Sequence, residues 1–356
     1  MIRRLRDYYR QFEELSPDEI SRELRERRDA DRARELSEVP PLDLASASWH
    51  QPPDAEAVNA ATYALRRAVN AYPDDTPLRE ALARRHGVER SQVAPGHGAG
   101  ELLHAAFRAI AVEGEVAIAW PGWGPLPTLV HEAGGTPVPA APDLDALAAR
   151  GARAVVLCTP NDPTGATIPP LDLEAFAREL DESSWLVVDA ALAEFGPDRG
   201  DEGALLAARE RVLVVRSFSK AHAMAGFRAG YALANDEELL DRLTPAGGVS
   251  APAQAAMLWA VASGEAVVRR RRAAAARERE RLAERLHGTP FSFPSGHGPL
   301  VWLASTAHDG RTISRHLAAR RIFVTPGQAW GDDRHVRVTL RDGAATDRLA
   351  DALLEL

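Results

Sequence analysis

The stretch from residue 217 to residue 231 reads SFSKAHAMAGFRAGY, and it follows an apolar run that predicts a buried strand. Lys220 is an amine at the end of that strand, where partial removal from water can lower its pKa enough to make it a nucleophile or Schiff-base former. Around it stand two hydroxyls and a guanidinium that suit a phosphate group, those of Ser217, Ser219 and Arg228. The stretch therefore offers what pyridoxal 5′-phosphate (PLP) requires, unless it is an ordinary loop whose charged groups face solvent.

The composition is that of an ordinary globular protein. The chain has 356 residues, of which 45% are hydrophobic and 26% charged, enough for a large core and two domains. Its formal net charge of −8 does not favour nucleic acid as a partner, and no apolar run approaches the length of a membrane span. We therefore expect neither nucleic acid nor a membrane among its partners.

Cysteine, histidine and the first residues indicate a cytoplasmic enzyme without a metal. The single cysteine, Cys158, lies in an apolar run and excludes an internal disulfide. The eleven histidines show no metal-ligand spacing, so no metal is expected. Residues 1–6 lead into charged sequence and lack the apolar segment of a signal peptide.

A run of four arginines, residues 269–272, is the one basic cluster. It continues through alanines into the mixed-charge residues 277–281, a helical pattern. We expect a solvated helix face here, not a nucleic-acid site.

Short apolar runs alternate with helical patterns between residues 90 and 235. The candidate strands are residues 116–120, 154–159, 185–190, 212–218 and 230–234. The candidate helices before and among them are residues 57–71, 76–87, 101–113 and 171–180. Strands that are apolar throughout are covered on both faces, as in a mainly parallel sheet with helices on either side. The sequence therefore predicts an α/β fold.

We divide the chain into three parts. Residues 1–40 are predicted to form an N-terminal helical arm, with a helix start at Ser16 and Pro17. Residues 41–245 form a large domain and include the first part of the small domain near their start. Residues 246–356 form a smaller α/β domain, whose predicted elements are a long helix at 252–286, strands at 300–304, 322–325 and 336–340, and a final helix from Thr346.

A glycine-rich turn, residues 96–101, opens a predicted helix. Backbone N–H groups at such a turn can approach an anion, where the helix dipole favours negative charge. Taken alone the turn is equally a structural tight turn. It could also be part of a dinucleotide-binding fingerprint, but no clear strand leads into it.

Other polar or aromatic groups fall at predicted strand ends, the edge where open α/β sheets bind ligands. Trp123 follows one strand and could stack on a flat ring or pack in the core. Residues 160–165, Pro-Asn-Asp-Pro-Thr-Gly, form a rigid turn after the next strand. Asp189 ends an apolar strand, where a carboxylate is costly unless a cation pairs with it, and a protonated pyridine nitrogen would serve.

In combination and in this order, these motifs resemble those of the class I/II, fold-type I PLP-dependent aminotransferases. The nearest subgroup is similar to histidinol-phosphate aminotransferases. The resemblance runs from about residue 45 to the C-terminus. It implies PLP as the cofactor, a large PLP-binding domain with a mainly parallel, seven-stranded sheet, and a smaller α/β C-terminal domain.

The resemblance also implies roles for individual residues. Lys220 would form the Schiff base with PLP and then move a proton as base and acid. Asp189 would hold the pyridine nitrogen protonated, and Trp123 would stack on the ring. The phosphate would be bound by the amides of Ala99 and Gly100 together with Ser217, Ser219 and Arg228.

Two further residues would act at the edge of the site. Tyr72 matches a tyrosine that reaches the phosphate of the neighbouring subunit's cofactor, which implies a homodimer. Arg337 matches the arginine that binds the carboxylate of the substrate or, in histidinol-phosphate enzymes, its phosphate. The partners implied are a small-molecule amino donor and a carbonyl acceptor.

Two positions depart from the family pattern. Asp162 stands where asparagine is usual, and Leu192 stands where tyrosine is frequent. Both positions usually donate hydrogen bonds to the phenolic oxygen of PLP, which neither a leucine nor an ionised aspartate can do. Asp162 is kept among the cofactor-binding candidates, because it occupies the family's position.

The leading prediction is an aminotransferase that moves an amino group between an amino acid, or an amino-alcohol phosphate, and a carbonyl compound. The alternative within the same fold is a PLP-dependent decarboxylase or lyase resembling threonine-phosphate decarboxylase. A non-enzymatic cofactor-binding regulator and an NAD-dependent enzyme are weaker alternatives. His97, His222 and Arg341 could each line the pocket or pack in the core.

Overall fold

The computed structural model describes residues 21–22, 25–26, 28, 39–197 and 202–356. The predicted helix start at Ser16 lies outside the described residues, and so does most of the N-terminal arm. That arm stays a prediction. Along the described part of the chain, no helix has both the length and the apolar character needed to cross a membrane.

The described elements alternate along most of the chain. The strands are, in chain order, β1 (Leu42–Asp43), β2 (Val93–Gly96), β3 (Glu115–Ala119), β4 (Thr136–Ala140), β5 (Ala154–Cys158), β6 (Trp185–Asp189), β7 (Val212–Ser217), β8 (Gly230–Ala234), β9 (Phe291–Ser292), β10 (Leu300–Ser305), β11 (Ile322–Phe323), β12 (Thr325–Pro326) and β13 (His335–Thr339). The helices are α1 (Ala55–Arg67), α2 (Thr76–His86), α3 (Ala99–Ile110), α4 (Leu126–Glu132), α5 (Leu144–Ala148), α6 (Pro170–Glu179), α7 (Glu202–Ala208), α8 (Glu237–Leu243), α9 (Ala251–Ser263), α10 (Glu265–Leu286), α11 (Gly310–Ala318) and α12 (Gly343–Leu354).

The large sheet has seven strands in the order β2-β8-β7-β6-β5-β3-β4. Strands β3 to β7 pair in parallel, while β8 is antiparallel to both of its neighbours. This confirms the predicted mainly parallel sheet of an α/β fold. In the register Cys158 stands beside Asp189, so the last residues of β5 and β6 reach the same edge of the sheet.

The strands are apolar throughout because helices cover both faces of the sheet. In β6, Leu186 and Val188 pack into the cluster beneath helices such as α2 and α9, while Val187 packs into the cluster beneath helices such as α3 and α8. Side chains that alternate between two buried faces leave no position for a polar residue until the strand ends. The polar groups of the site therefore begin at the strand ends.

One predicted helix is broken, and several elements were not predicted, among them β1, β9, α4, α5, α7, α8 and α11. The sequence patterns missed β2 and β4, which form the two edges of the large sheet. The helix predicted over residues 252–286 is two helices, because the chain breaks between α9 and α10 at Gly264. A Cβ at that glycine would lie 2.6 Å from the carbonyl oxygen of Ala260. Only glycine fits the sharp break.

A four-stranded antiparallel sheet, β12-β13-β10-β9, forms a separate layer with its own core. Leu303, Val338 and Leu349 are fully buried in that core. The early strand β1 pairs in parallel with β11, and Leu44 beside β1 and Ile322 of β11 are buried in the same core. The smaller α/β unit predicted for the C-terminal part is therefore present, while the domain boundaries stay a prediction.

The expectation of a solvated arginine face at residues 269–272 is wrong for Arg271. Its side chain is buried in α10, where Nη1 donates to the carbonyl oxygen of Ala221 and Nη2 to that of Pro52, each at 2.7 Å. It also lies over the ring of Trp49. Two backbone acceptors satisfy the buried guanidinium, which thereby fixes the loop next to Lys220.

Candidate active site

A cavity of about 380 Å³ opens where β5, β6 and β7 end. That volume lies within the usual range for small-molecule sites. The predicted site residues that line it are Ala99, Gly100, Trp123, Asp162, Asp189, Ser217, Ser219, Lys220 and Arg228. Five elements of the fold therefore bring together residues that lie up to about 130 positions apart in the chain.

One end of the cavity is a cradle for an anion. Helix α3 starts at Ala99, directly after Gly98, whose φ is +92°. A Cβ at Gly98 would lie 3.1 Å from the guanidinium of Arg228, so only glycine lets the start of the helix and the arginine approach this closely. Ser217 and Ser219 lie beside them, and the Oγ of Ser217 accepts a hydrogen bond from the Ser219 amide at 3.1 Å. Amides, hydroxyls and a guanidinium at a helix N-terminus suit a phosphate.

The floor of the cavity carries a buried carboxylate. Burial raises the pKa of Asp189 to about 6, although the amide of Ala191 donates to Oδ1 at 3.0 Å and Lys220 is close enough to oppose the shift. The thiol of Cys158 contacts the other oxygen at 3.7 Å. A carboxylate this buried becomes more favourable in its ionised form when a cation reaches it.

Lys220 projects into the same cavity from the loop after β7. Its Nζ donates to the carbonyl oxygen of Ala47 at 3.3 Å. Burial lowers the pKa of Lys220, and the negative charge of Asp162 partly opposes that shift. A lowered pKa increases the fraction of neutral amine, which is the nucleophilic form.

Trp123 forms one wall. A Cβ at Gly100 would lie 3.0 Å from its ring, so the glycine gives the indole its place against the start of α3. Two hydrogen bonds hold the residues just before Trp123. Trp120 Nε1 donates to the carbonyl oxygen of Trp330 at 2.8 Å, and Trp330 Nε1 donates to that of Gly122 at 2.7 Å. These bonds tie the wall of the cavity to the smaller layer of the protein.

The donor set of this cavity fits PLP. The cradle at α3 suits the phosphate, Lys220 suits the aldehyde, and the buried Asp189 suits a protonated ring nitrogen. The indole of Trp123 offers a flat apolar surface for the ring. Within the described part of the chain, no group of three or more His, Cys, Asp or Glu side chains is arranged to hold a metal ion.

Comparison with known families agrees with this geometry. The sequence model of the family described as "Aminotransferase class I and II" matches residues 42–353. The chain belongs to this family. It is a PLP-dependent aminotransferase, an enzyme that transfers amino groups, as the resemblance predicted.

Curated relatives and solved structures extend over most of this aminotransferase. It is 34% identical over 332 residues to a histidinol-phosphate aminotransferase of Rhodospirillum centenum, covering 88% of this chain and 90% of that one. It is 33% identical over 294 residues to an aromatic amino acid aminotransferase of Rhodococcus jostii, covering 78% and 80%. The histidinol-phosphate aminotransferase of Sinorhizobium meliloti, solved with PLP, superposes with a TM-score of 0.79 at 26% identity, covering 92% of this chain and 93% of that one.

Two predicted site residues do not line the cavity of the aminotransferase. Tyr72 is 92% exposed on the turn before α2. Arg337, in β13, lies behind Asp162, and its Nη1 donates to the two carboxylate oxygens at 2.9 and 3.3 Å. The roles predicted for both residues stay predictions.

Several lining residues were not predicted from the sequence. They include Ser48, Glu101, His104, Leu129, Cys158 and Ala191. Of the three ambiguous residues, His222 is buried in the core against Phe218, His97 is exposed, and Arg341 lies 3.8 Å from Asp43. One signal for the site was overlooked: Lys220 is the only lysine in the whole sequence.

His222 should make the stability of the aminotransferase depend on pH. Burial lowers the pKa of His222 from 6.5 to about 4, with Glu194 opposing and Arg85 adding to the shift. Between those values the unfolded chain binds a proton that the folded protein does not, so stability falls as the pH falls from 6.5 to 4. Between pH 6.5 and pH 4 we expect the unfolding free energy of His222→Leu to fall by about 3 kcal/mol less than that of the parent.

Denaturant unfolding at pH 7 and pH 4.5 measures this difference between variant and parent. His131→Leu is the control, because the His131 side chain is exposed and stays in water in both states. If the unfolding free energies of both variants fall as much as that of the parent between pH 7 and pH 4.5, the buried His222 does not cause the pH dependence.

Proposed function

We propose that this aminotransferase exchanges an amino group between a small primary amine and a small carbonyl compound in the cavity beside Lys220. The observation that carries the proposal is the shared lining of that cavity. The only lysine of the chain, the buried Asp189, the indole of Trp123 and the anion cradle all border one space. Each of these groups has a use in amino transfer.

PLP supplies an aldehyde for the amine and a ring that takes up electrons from the carbon that loses a proton. We assign its phosphate to the N-terminal amides of α3, at Ala99 and Gly100, and to three side chains, Ser217, Ser219 and Arg228. The carboxylate of Asp189 would hold a proton on the ring nitrogen. Trp123 would cover one face of the ring and exclude water from it.

Lys220 would take the proton from the carbon that bears the amino group and later return it. The lowered pKa of Lys220 favours this role, because a neutral amine is needed as the base near neutral pH. Its loop is held by the buried Arg271, whose guanidinium binds the carbonyl of Ala221. A fixed loop keeps the amine at the mouth of the anion cradle.

The relatives' names give a starting range of substrates, aromatic amino acids and histidinol phosphate. A screen of amino donors against keto acids and aldehydes tests the proposed function, with conversion of the bound cofactor followed by its visible absorbance. We expect at least one donor to convert the cofactor to its aminated form. If no donor does so and carbon dioxide is released instead, the chain is a decarboxylase.

We also propose a homodimer that shares its active sites. The proposal is supported by exposed apolar side chains on the surface of α1 and of the turn after it, those of Tyr63, Leu65, Val69 and Tyr72. Tyr63 is 65% exposed and Tyr72 92% exposed, which is unusual for large apolar side chains that lie close together along the chain. A second copy would cover this surface and receive the Tyr72 hydroxyl at its own cofactor.

Mixing an impaired variant with an inactive one tests the shared site. Tyr72→Phe should weaken PLP binding about tenfold, because one hydrogen bond to a charged group is lost. Lys220→Ala should be inactive. A mixed dimer has one complete site, so the mixture should be more active than the sum of its components. A strictly additive result, or a monomer in sedimentation, contradicts the shared site.

Two further proposals concern place and organisation. We infer a cytoplasmic location, which the single cysteine supports, since it leaves no internal disulfide to form. We also infer a large PLP-binding domain over residues 41–245 and a small domain over residues 246–356. Separate core clusters beneath the two sheets support two domains, whereas α9, which lies within residues 246–356, packs into the core of the large sheet.

A further inference from the structure

Asp162 and Arg337 form an ion pair between the two layers of the protein. They lie 175 positions apart in the chain, yet Arg337 Nη1 donates to Asp162 Oδ1 at 2.9 Å and to Oδ2 at 3.3 Å. The side chains are only 7% and 12% exposed. In this environment a carboxylate and a guanidinium neutralise each other much more strongly than on a surface.

Most donors of Arg337 are already used within the protein. Nη2 donates to the carbonyl oxygen of Ala45 at 2.6 Å and to the hydroxyl of Thr325 at 3.2 Å. The guanidinium also lies over the ring of Trp330, with 5.3 Å between its carbon and the ring centroid. Nε is buried without a hydrogen-bond partner among the described groups. One N–H cannot form the two parallel bonds by which arginine binds a carboxylate.

The pair has a definite orientation toward the cavity. Asp162 lines the cavity, whereas Arg337 does not and reaches the Asp162 carboxylate with Nη1. Both charges act on Lys220: Asp162 raises the pKa of its amine, and Arg337 lowers that pKa by less. A molecule that reaches this end of the cavity therefore meets a carboxylate first, and the positive charge behind it is already compensated.

We propose that Asp162 selects substrates by charge. Because it occupies Arg337, it excludes amines that carry a carboxylate or another anion on the reacting carbon. It admits amines that carry a neutral group on that carbon, such as a hydroxymethyl group. This rests on the proposed function and narrows its substrate class. An entering carboxylate must separate the buried pair and then lie beside Asp162, whereas a hydroxyl can donate to the carboxylate without separating anything. Repulsion of the wrong ligand is as effective a source of specificity as attraction of the right one.

Equilibrium binding tests the proposal without turnover. The probes are 3-phenylpropanoate and 3-phenylpropan-1-ol, with acetate as a small carboxylate that enters a narrow cavity. Calorimetric titration of the PLP-loaded protein should show weak carboxylate binding in the parent and an affinity about 10- to 100-fold higher in Asp162→Asn. Binding of the alcohol should fall or stay the same.

Asp347→Asn is the matched control. Asp347 also pairs with arginines, accepting from Arg281 Nε at 2.8 Å and from Arg285 Nη1 at 3.2 Å, but it does not line the cavity. The Asp347→Asn substitution changes the net charge by the same amount as Asp162→Asn and should not alter the binding of any of the probes. Equal carboxylate affinity in the parent, Asp162→Asn and Asp347→Asn overturns the proposal.

The parent protein provides a second comparison that needs no variant. Single-turnover conversion of the cofactor is measured with L-phenylalaninol against L-phenylalanine, L-histidinol against L-histidine, and L-alaninol against L-alanine. The proposal expects the amino alcohol to react at least tenfold faster in kcat/KM in each reactive pair, and a preference for the amino acids overturns it. If no amine reacts, the proposed function fails, and the calorimetric titration still decides the role of Asp162.

Discussion

Replacing Lys220 by alanine is expected to abolish amino transfer while the fold and the anion cradle remain. Proton transfer by a positioned side chain contributes about 10²- to 10⁴-fold, and the nucleophilic role of the amine is lost with it. We therefore expect turnover to fall by at least about 10⁴-fold. No other lysine can substitute, since the remaining members of the 43 Lys and Arg residues are all arginines.

The lone lysine makes the measurement unusually direct. In the parent, borohydride reduction followed by arginine-specific digestion should leave the cofactor's absorbance on the peptide that contains Lys220, which Arg216 and Arg228 bound. Lys220→Ala should still bind PLP but retain no label after reduction and denaturation. Lys220→Arg is the matched control for charge, and it should be as inactive as the alanine variant. Normal transamination by either variant would show that the amine has been misassigned.

The core of the fold was predictable because its strands are buried on both faces. The runs that became β3, β5, β6 and β7 contain hardly a polar residue before their last positions. The edge strand β2 is buried throughout, but it has only four residues, and its proline and glycine hide the strand pattern. The other edge strand, β4, gave no signal of burial. β4 reads TPVPA, with two prolines and no fully buried residue, and proline is tolerated in a strand mainly at an edge. Periodicity reports burial, so it finds central strands better than edges.

The buried arginines of α10 had a signal that the local charge pattern concealed. Val268, Arg271, Ala275, Arg279 and Leu282 are all buried and recur every three or four positions, which is the spacing of one helix face. Counting charges suggested a solvated face, whereas the periodicity places two arginines with the apolar residues. The predicted solvated face was wrong for these arginines because it rested on the number of charged residues and not on their spacing along the helix.

Nine of the residues that line the cavity were predicted, but the pairing of Asp162 with Arg337 was not. Strand ends of a parallel sheet meet at one edge, so Asp189 and Ser217 had to lie close together. Nothing local indicates that Asp162 contacts Arg337, since β13 reaches the large sheet only through the packing of the two layers. The sequence could predict which groups are present, and the structure was needed to tell which of them neutralise each other.

Arg216→Met is expected to cost about 3–5 kcal/mol of unfolding free energy, the largest stability effect predicted here. Arg216 is fully buried at the end of β7, where Nη1 is paired with Glu202 and Nη2 lies 2.8 Å from Glu194. Glu202 also accepts from His86, and Arg85 pairs with Glu194 at 2.8 Å. Methionine fills a similar volume but leaves Glu202 without a guanidinium in a site closed to water.

Urea unfolding of the PLP-loaded protein, at one protein concentration, measures this cost. Arg242→Met is the matched control, because Arg242 pairs with Glu238 on the surface, where the side chains are 59% and 79% exposed. Exposed pairs contribute about 0–1 kcal/mol, so the control should be nearly as stable as the parent. Equal losses in the two variants would mean that the buried network contributes no more than a surface pair.

The pH dependence separates the lost ion pair from a simple packing defect. Burial is the largest influence on the pKa of Glu194 and Glu202 and by itself raises it, but Arg216 together with Arg85 at Glu194 and His86 at Glu202 outweighs burial and holds both values at about 2, below the ordinary 4.5. Between pH 4.5 and 2 the unfolded chain therefore binds more protons, and the stability that these carboxylates provide is lost as the pH falls. The deficit of Arg216→Met should accordingly be largest above pH 4.5 and shrink toward pH 2. A packing defect would instead give the same deficit at every pH, because a cavity around methionine does not titrate.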